Sequence, residues 1–253
     1  MAHIFYGNKR RFEENLDVAQ AASCLGDDFW CLFEFDIPMA NIDCLIIRAA
    51  ESRTNPEVAS TFLLNEIKHV TGRLRGLEYG EWSIIRNGIE EPYVSGNDKD
   101  INPWAQTLRA LNLFKDWFAA NHTVFLNDGR YYNADDIKIW PYLLIVRNDS
   151  DERHQLPTSP SNKFGSMMFS IDQWLQNVRN WQPRVGIQLT RADCEGLVRT
   201  LGLNEWTAPE VERPDLPEVG MPLDANWLGQ MGAWIASVER RLSALEQRNG
   251  GAG

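Results

Sequence analysis

Cysteine and histidine are scarce in this chain, and the spacing of the few present excludes several kinds of chemistry. The four cysteines, Cys24, Cys31, Cys44 and Cys194, include no C-x-x-C pair. A zinc ribbon, a disulfide scaffold and thiol redox chemistry are therefore not expected, and reduced core thiols are. The four histidines, His3, His69, His122 and His154, are too scattered to make a metal cluster. There is no internal repeat and no glycine-rich loop of the kind that cradles phosphates. No window approaches the ~18 uninterrupted apolar residues of a membrane span, and the opening MAHIFYGNKRRFEEN lacks the apolar stretch of a secretory signal. The expectation is a cytoplasmic protein with no membrane partner. Basic residues are also in deficit, 25 against 35 acidic ones, for a net charge of −10. Broad electrostatic adhesion to nucleic acid is thereby disfavoured, so any such contact must be local.

What is present is an ordinary globular composition, 43% hydrophobic and 24% charged over 253 residues. The negative charge is concentrated. Glu205, Glu210, Glu212, Asp215, Glu218 and Asp224 are opposed only by Arg213, so residues 205–224 carry −5 of the total. Pro209, Pro214, Pro217 and Pro222 fix φ and remove donors in the same stretch, which reads as an extended linker. The expected organisation is a body over 1–206, an acidic proline-rich linker over 207–224 and an amphipathic helix over 225–249. That last segment places Trp227, Met231, Trp234, Ile235, Val238, Leu242 and Leu245 at spacings of three and four. Such a stripe must be buried, on its own body, on a second copy or on another protein. Association, as a homo-oligomer or with a protein partner, is the expectation.

Within the body, Phe12, Leu16, Ala19 and Ala22 predict one helix over residues 9–25. Aromatic and β-branched runs at 29–38, 42–48 and 61–70 predict strands, with a fourth around 82–85. Asn102 and Pro103 open a helix carrying Trp104, Leu108, Leu111 and Phe118, expected to end near Asn121. Further strands are expected at 123–127 and 139–147. Asp172 is the expected cap of a helix with Trp174, Leu175 and Val178, and Thr190 with Asp193 resembles a capping box before a helix stopped by Gly202. The fold class is α/β, with a mixed central sheet flanked by helices.

Chemistry-bearing residues interrupt the apolar strands. Asp43 lies in IDCLIIR, and Glu66 and Lys68 interrupt TFLLNEIKHV. Residues 66 and 68 share one face of an extended strand, so a carboxylate and an ammonium stand together while Ile67 packs behind. Asp43 and Glu66 at neighbouring strand positions would repel unless a cation lies between them. Magnesium prefers oxygen ligands and keeps waters, and a lysine beside it could orient or help deprotonate a water attacking a phosphodiester. The same spacing also suits a plain ion pair on an exposed strand.

The segments GNKRRFEENLDVAQ, DDFWCLFEFDIP, IDCLII, FLLNEIKHVTGRLRG and INPWAQ, in this order, resemble the nuclease-related domain family, whose fold belongs to the PD-(D/E)XK nuclease superfamily. The resemblance runs from about residue 7 to 106. It implies a PD-(D/E)XK nuclease-like core and a catalytic set of Glu14, Asp43, Glu66 and Lys68, with Gln106 facing the centre from its helix. Either Glu13 or Glu14 fits the helical position. The implied cofactor is Mg2+ or Mn2+, held by Asp43, Glu66 and Glu14. Two departures stand out: the connection between Asp43 and Glu66 is long, and the family's early G-E pair is absent.

Lys9, Arg10, Arg11, His69, Arg73 and Arg75 are candidate phosphate contacts near this centre, and equally a solvated face. Trp82, Trp104 and Trp117 suit a core better than base stacking. The expected function is a metal-dependent nuclease hydrolysing phosphodiesters, DNA first and RNA second, in a setting such as DNA processing or anti-phage defence. The alternative is a catalytically inactive nuclease-like module that binds nucleic acid or a protein.

Overall fold

A computed structural model describes residues 1–50, 60–77, 80–94, 102–126, 132–135, 137–147, 166–168, 170–181, 187–208, 229 and 232. The elements are β1 (His3–Tyr6), α1 (Lys9–Glu14), α2 (Leu16–Ala22), β2 (Phe29–Ile37), β3 (Ala40–Arg48), β4 (Thr61–Val70), β5 (Arg73–Arg75), β6 (Ser83–Arg86) and β7 (Ile89–Pro92). They continue with α3 (Pro103–Phe125), β8 (Trp140–Arg147), β9 (Ser166–Met168), α4 (Ile171–Asn180), α5 (Arg191–Leu201) and β10 (Asn204–Trp206).

The three long apolar runs become the middle of a seven-stranded mixed sheet, ordered β10-β1-β2-β3-β4-β8-β9. Strands β2, β3 and β4 are antiparallel neighbours, whereas β1 joins β2, and β8 joins β4, in parallel. Their continuous apolar character follows from burial on both faces. On one face Phe114 and Phe118 of α3 and Leu197 of α5 pack on Leu32, Leu45, Phe62 and Leu64. On the other, Phe12 of α1, Val18 of α2 and Trp174 of α4 pack on Phe33, Ile46 and Leu63. The chain is thus α/β, a mixed sheet flanked by helices. A small sheet, β5-β6-β7, follows β4, its hairpin closed by Asn87 and Gly88, both at positive φ as a tight turn requires. Together with Trp104 at the start of α3 it forms a third apolar cluster.

Several expectations are corrected. The helix over 9–25 is two helices, because Asn15 closes α1 and precedes α2, and Leu16 is exposed instead of facing the core. Residues 123–125 are not a strand. They prolong α3, since Phe118, His122 and Phe125 are buried at helical spacing and outweigh the β-propensity of Thr123 and Val124. Ser170, not Asp172, caps α4 by accepting the Gln173 N–H at 3.1 Å. The capping box of α5 forms as expected, and Gly202 ends that helix in the left-handed region at φ 64°. Among the described residues no helix is long and apolar enough to cross a membrane. The linker expected over 207–224 and the helix expected over 225–249 lie outside the described residues, except Thr207, Ala208 and the helical residues Gly229 and Gly232.

Candidate active site

The sheet opens where its polar residues lie. The β3–β4 ladder runs from Arg48 opposite Thr61 to Cys44 opposite Asn65 and stops, one step before Asp43 would face Glu66. There the Asp43 side chain replaces the ladder: its Oδ2 accepts the Ile67 N–H at 2.9 Å. Asn65, fully buried one residue earlier, pins β4 to α4 by accepting the Trp174 indole N–H at 2.8 Å.

The β2–β3 ladder is also interrupted here, passing from Phe33–Cys44 to Phe35–Ile42. Side-chain alternation slips at the same point. Phe33 and Cys44 face the α2 side, while Phe35 and Ile42 face the α3 side, whereas a regular strand would keep residues two apart on one face. Glu34, at φ +47°, absorbs the slip. A left-handed glutamate inside a strand costs on the order of 1–3 kcal/mol and persists only where surrounding contacts hold it. Those contacts come from the chain entering α1, where the Asn8 N–H donates to the Glu34 carbonyl at 2.7 Å. Gly7 lies so close that a Cβ would stand 2.9 Å from that same oxygen.

Three carboxyl groups therefore meet at the opening. Glu66 is 1% exposed, and its Oε1 accepts from Lys68 Nζ at 2.5 Å. Burial, the Asp43 charge and a hydrogen bond to Asp43 raise the Glu66 pKa, against the pull of Lys68, so Glu66 holds a proton well above the usual carboxylate range. On the other side of Asp43, burial and the Asp43 charge push Glu34 to about 8, while Arg11 and Asn15 pull it down. Burial works against the Lys68 charge, but Glu66 and Asp43 more than offset it, and Lys68 remains firmly protonated. Tyr93, just after β7, completes this side. Burial raises its pKa, Lys68 opposes the rise, and Glu66 and Asp43 add to it.

The expected site residues are distributed as follows. Asp43, Glu66 and Lys68 come together. Gln106 lies one turn into α3, whose start is capped by Asn102 accepting from Trp104 and Ala105; its Oε1 is buried without a hydrogen-bond partner among the described residues. Glu14 ends α1, exposed, and adds to the rise of Glu34. Among the described residues no group of three or more histidine, cysteine or acidic side chains could hold a metal ion as arranged. Glu66 bonds Lys68 and Asp43, while Glu14, at the end of α1, acts on Glu34.

The basic residues divide. Lys9 and Arg10 are exposed on α1. Arg11 is engaged by both carboxylate oxygens of Asp36, at 2.9 and 3.0 Å, and lies 3.9 Å from Glu34. Arg75 of β5 pairs with Glu90 at 2.7 Å, and Arg73 lies on the same strand. His69 of β4 bonds Asn15. Trp82 and Trp104 are core residues, and Trp117 stacks between Phe114 and Phe125, so none is presented for base stacking.

Sequence reasoning missed Glu34, Asn15 and Tyr93. For Glu34 the signal was present: a lone carboxylate in the apolar run FWCLFEF is the same anomaly that singled out Asp43. No family model matches the chain, and neither does any curated protein or solved structure.

Proposed function

We propose that this chain is a divalent-cation-dependent nuclease with a PD-(D/E)XK-type core, hydrolysing phosphodiesters in DNA. The observation that carries the reading is the meeting of Asp43, Glu66 and Lys68 where β3 and β4 part. A buried carboxyl whose proton affinity is raised by a neighbouring carboxylate, as Glu66's is by Asp43, forms a site that a cation would relieve. The donors are hard oxygens, which suits Mg2+ or Mn2+, and the Gln106 Oε1, buried without a partner among the described residues, would add another if Gln106 faces the centre as the resemblance implies. Asp43 and Glu66 would hold the ion, with Glu14 contributing from the end of α1. When bound, the ion would polarise a phosphoryl oxygen and make water more acidic.

The chain's own residues have separate tasks. Because Lys68 keeps its proton, it supplies positive charge to the phosphoryl oxygens as negative charge develops, and does not take the proton of the attacking water. Gln106 orients water or phosphate from the helix start. The ordered resemblance to the nuclease-related domain family, from about residue 7 to 106, supports the same assignment. DNA processing or anti-phage defence in the cytoplasm would be a suitable setting.

A second reading is a catalytically silent module that binds nucleic acid, or a protein through residues 225–249. The Lys68 hydrogen bond that occupies Glu66 favours it. The deciding experiment incubates the chain with single- and double-stranded DNA and RNA in Mg2+, Mn2+ or EDTA. Metal-dependent cleavage supports the nuclease, and intact substrates in every condition support the silent module.

A further inference from the structure

The interior between α1 and β4 contains a polar chain that the proposed hydrolysis does not use. Glu34 is 3% exposed, and its Oε1 accepts from Asn15 Nδ2 at 2.6 Å. Asn15 Oδ1 lies 2.9 Å from His69 Nε2. Asn15 sits at the N-cap of α2, where an asparagine would ordinarily satisfy an open backbone N–H, yet it makes no side-chain cap. Its amide instead spans from a buried carboxyl to a histidine.

The direction of each bond follows from the chemistry. With its NH2 donated to Glu34, Asn15 presents only a carbonyl oxygen to the imidazole, so His69 Nε2 must be the donor. The second ring nitrogen, Nδ1, makes no hydrogen bond among the described residues, and the side chain is 28% exposed. Asp17 Oδ1 lies 4.0 Å from Nε2. A phosphodiester carries acceptors and no protons, so a ring N–H offered at Nδ1 would match it.

His69 also occupies a distinct position. Ile67, two residues earlier, faces the core beneath α2, whereas Glu66 and Lys68 point to the opposite side of β4. His69 therefore shares its side with α1, where Lys9 and Arg10 are exposed. We propose that His69 binds a backbone phosphate of a nucleic acid on the α1 side of β4, and that Glu34 is a positioning residue holding His69 through Asn15. The strained backbone at Glu34 then has a use, because it turns the carboxyl toward Asn15. This inference rests on the nucleic-acid reading but not on cleavage.

The test uses the full chain in Ca2+, with a fluorescein-labelled DNA oligonucleotide and anisotropy as readout. His69→Gln is expected to weaken binding about threefold to tenfold and to lower the salt slope by about one, as loss of one phosphate contact does. Affinity and slope equal to those of the parent chain would overturn the proposal, as would a parent chain that binds no oligonucleotide. Binding that depends on His69, in a chain that cleaves nothing, would uphold this inference while defeating the nuclease. The positioning role is read by NMR of 15N-histidine-labelled protein. A slowly exchanging His69 Nε2–H is expected in the parent chain and in Glu34→Gln, whose amide oxygen still accepts from Asn15, and is lost in Asn15→Leu and in Glu34→Leu. If that proton exchanges freely in the parent chain, or survives Glu34→Leu in a folded protein, Glu34 does not position His69.

Discussion

Replacing Glu34 with glutamine should make the protein more stable, increasingly so as the pH rises. The carboxyl is raised from its ordinary 4.5 to about 8 in the folded chain, first by burial and then by Asp43. Between those two values the folded state holds a proton that the unfolded state has lost, so the stability Glu34 contributes is complete below pH 4.5. It falls as the pH rises toward 8 and is constant above. The raised value amounts to about 3 kcal/mol lost by pH 7 and about 4 kcal/mol by pH 8, an upper figure because the Asp43 and Arg11 charges are shared. Glutamine keeps an acceptor for Asn15 and carries no charge toward Asp43. The variant should match the parent near pH 5 and exceed it by about 2–4 kcal/mol at pH 8. For a body of this size that corresponds to roughly 5–10 °C in Tm. Urea or thermal unfolding of both proteins at pH 5, 6, 7 and 8 measures the difference. A gap that does not change with pH, or a glutamine variant less stable at pH 8, would refute the raised proton affinity assigned to Glu34.

Asp43→Ala and Glu66→Ala should each abolish cleavage and weaken Mg2+ or Mn2+ binding in calorimetry, whereas Lys68→Ala should abolish cleavage and largely spare the metal. Equal metal loss in all three would mean that Lys68 acts by holding the site together. Gln106→Ala should leave Tm unchanged within about 2 °C, since its Oε1 has no partner to lose among the described residues, yet lower kcat by about tenfold to a hundredfold. An unaltered kcat removes Gln106 from the machinery. Light scattering of the full chain and of a form ending at residue 220 should show association only in the former; two monomers at micromolar concentration would exclude self-association through residues 225–249.

The central strands were legible because burial on both faces leaves a continuous apolar run, and a run of that length with β-branched residues has few other uses. The capping box at Thr190 and Asp193 and the left-handed Gly202 were legible because both are local. Strands β1, β5, β7, β9 and β10 were missed. Each is three or four residues long, and their pairing depends on neighbours remote in sequence, as when His3–Tyr6 lies between β2 and β10. The break at Asn15 was missed for a related reason. Helical spacing continues through it, and what ends α1 is a side chain drawn away to Glu34 and His69, partners 19 and 54 residues distant.

At the site, Asp43, Glu66 and Lys68 were visible as charges in apolar strands. Glu34 carried the same mark, but regular alternation gave no indication that it would face Asp43, because that depends on a positive φ in mid-strand. Tyr93 was hidden in the small sheet, whose role as a wall beside Lys68 exists only after β5 folds back from β4.

The most direct test of the central claim is cleavage of end-labelled DNA by the parent chain and by Asp43→Asn, side by side in Mg2+, Mn2+ and EDTA. Asparagine retains an acceptor for the Ile67 N–H and should leave the opened strands in place, while removing the charge shared with Glu66 and Glu34. The account predicts metal-dependent cleavage by the parent chain alone, with the variant folded and inactive. Equal cleavage by both proteins, or none by the parent chain in either metal, would contradict it.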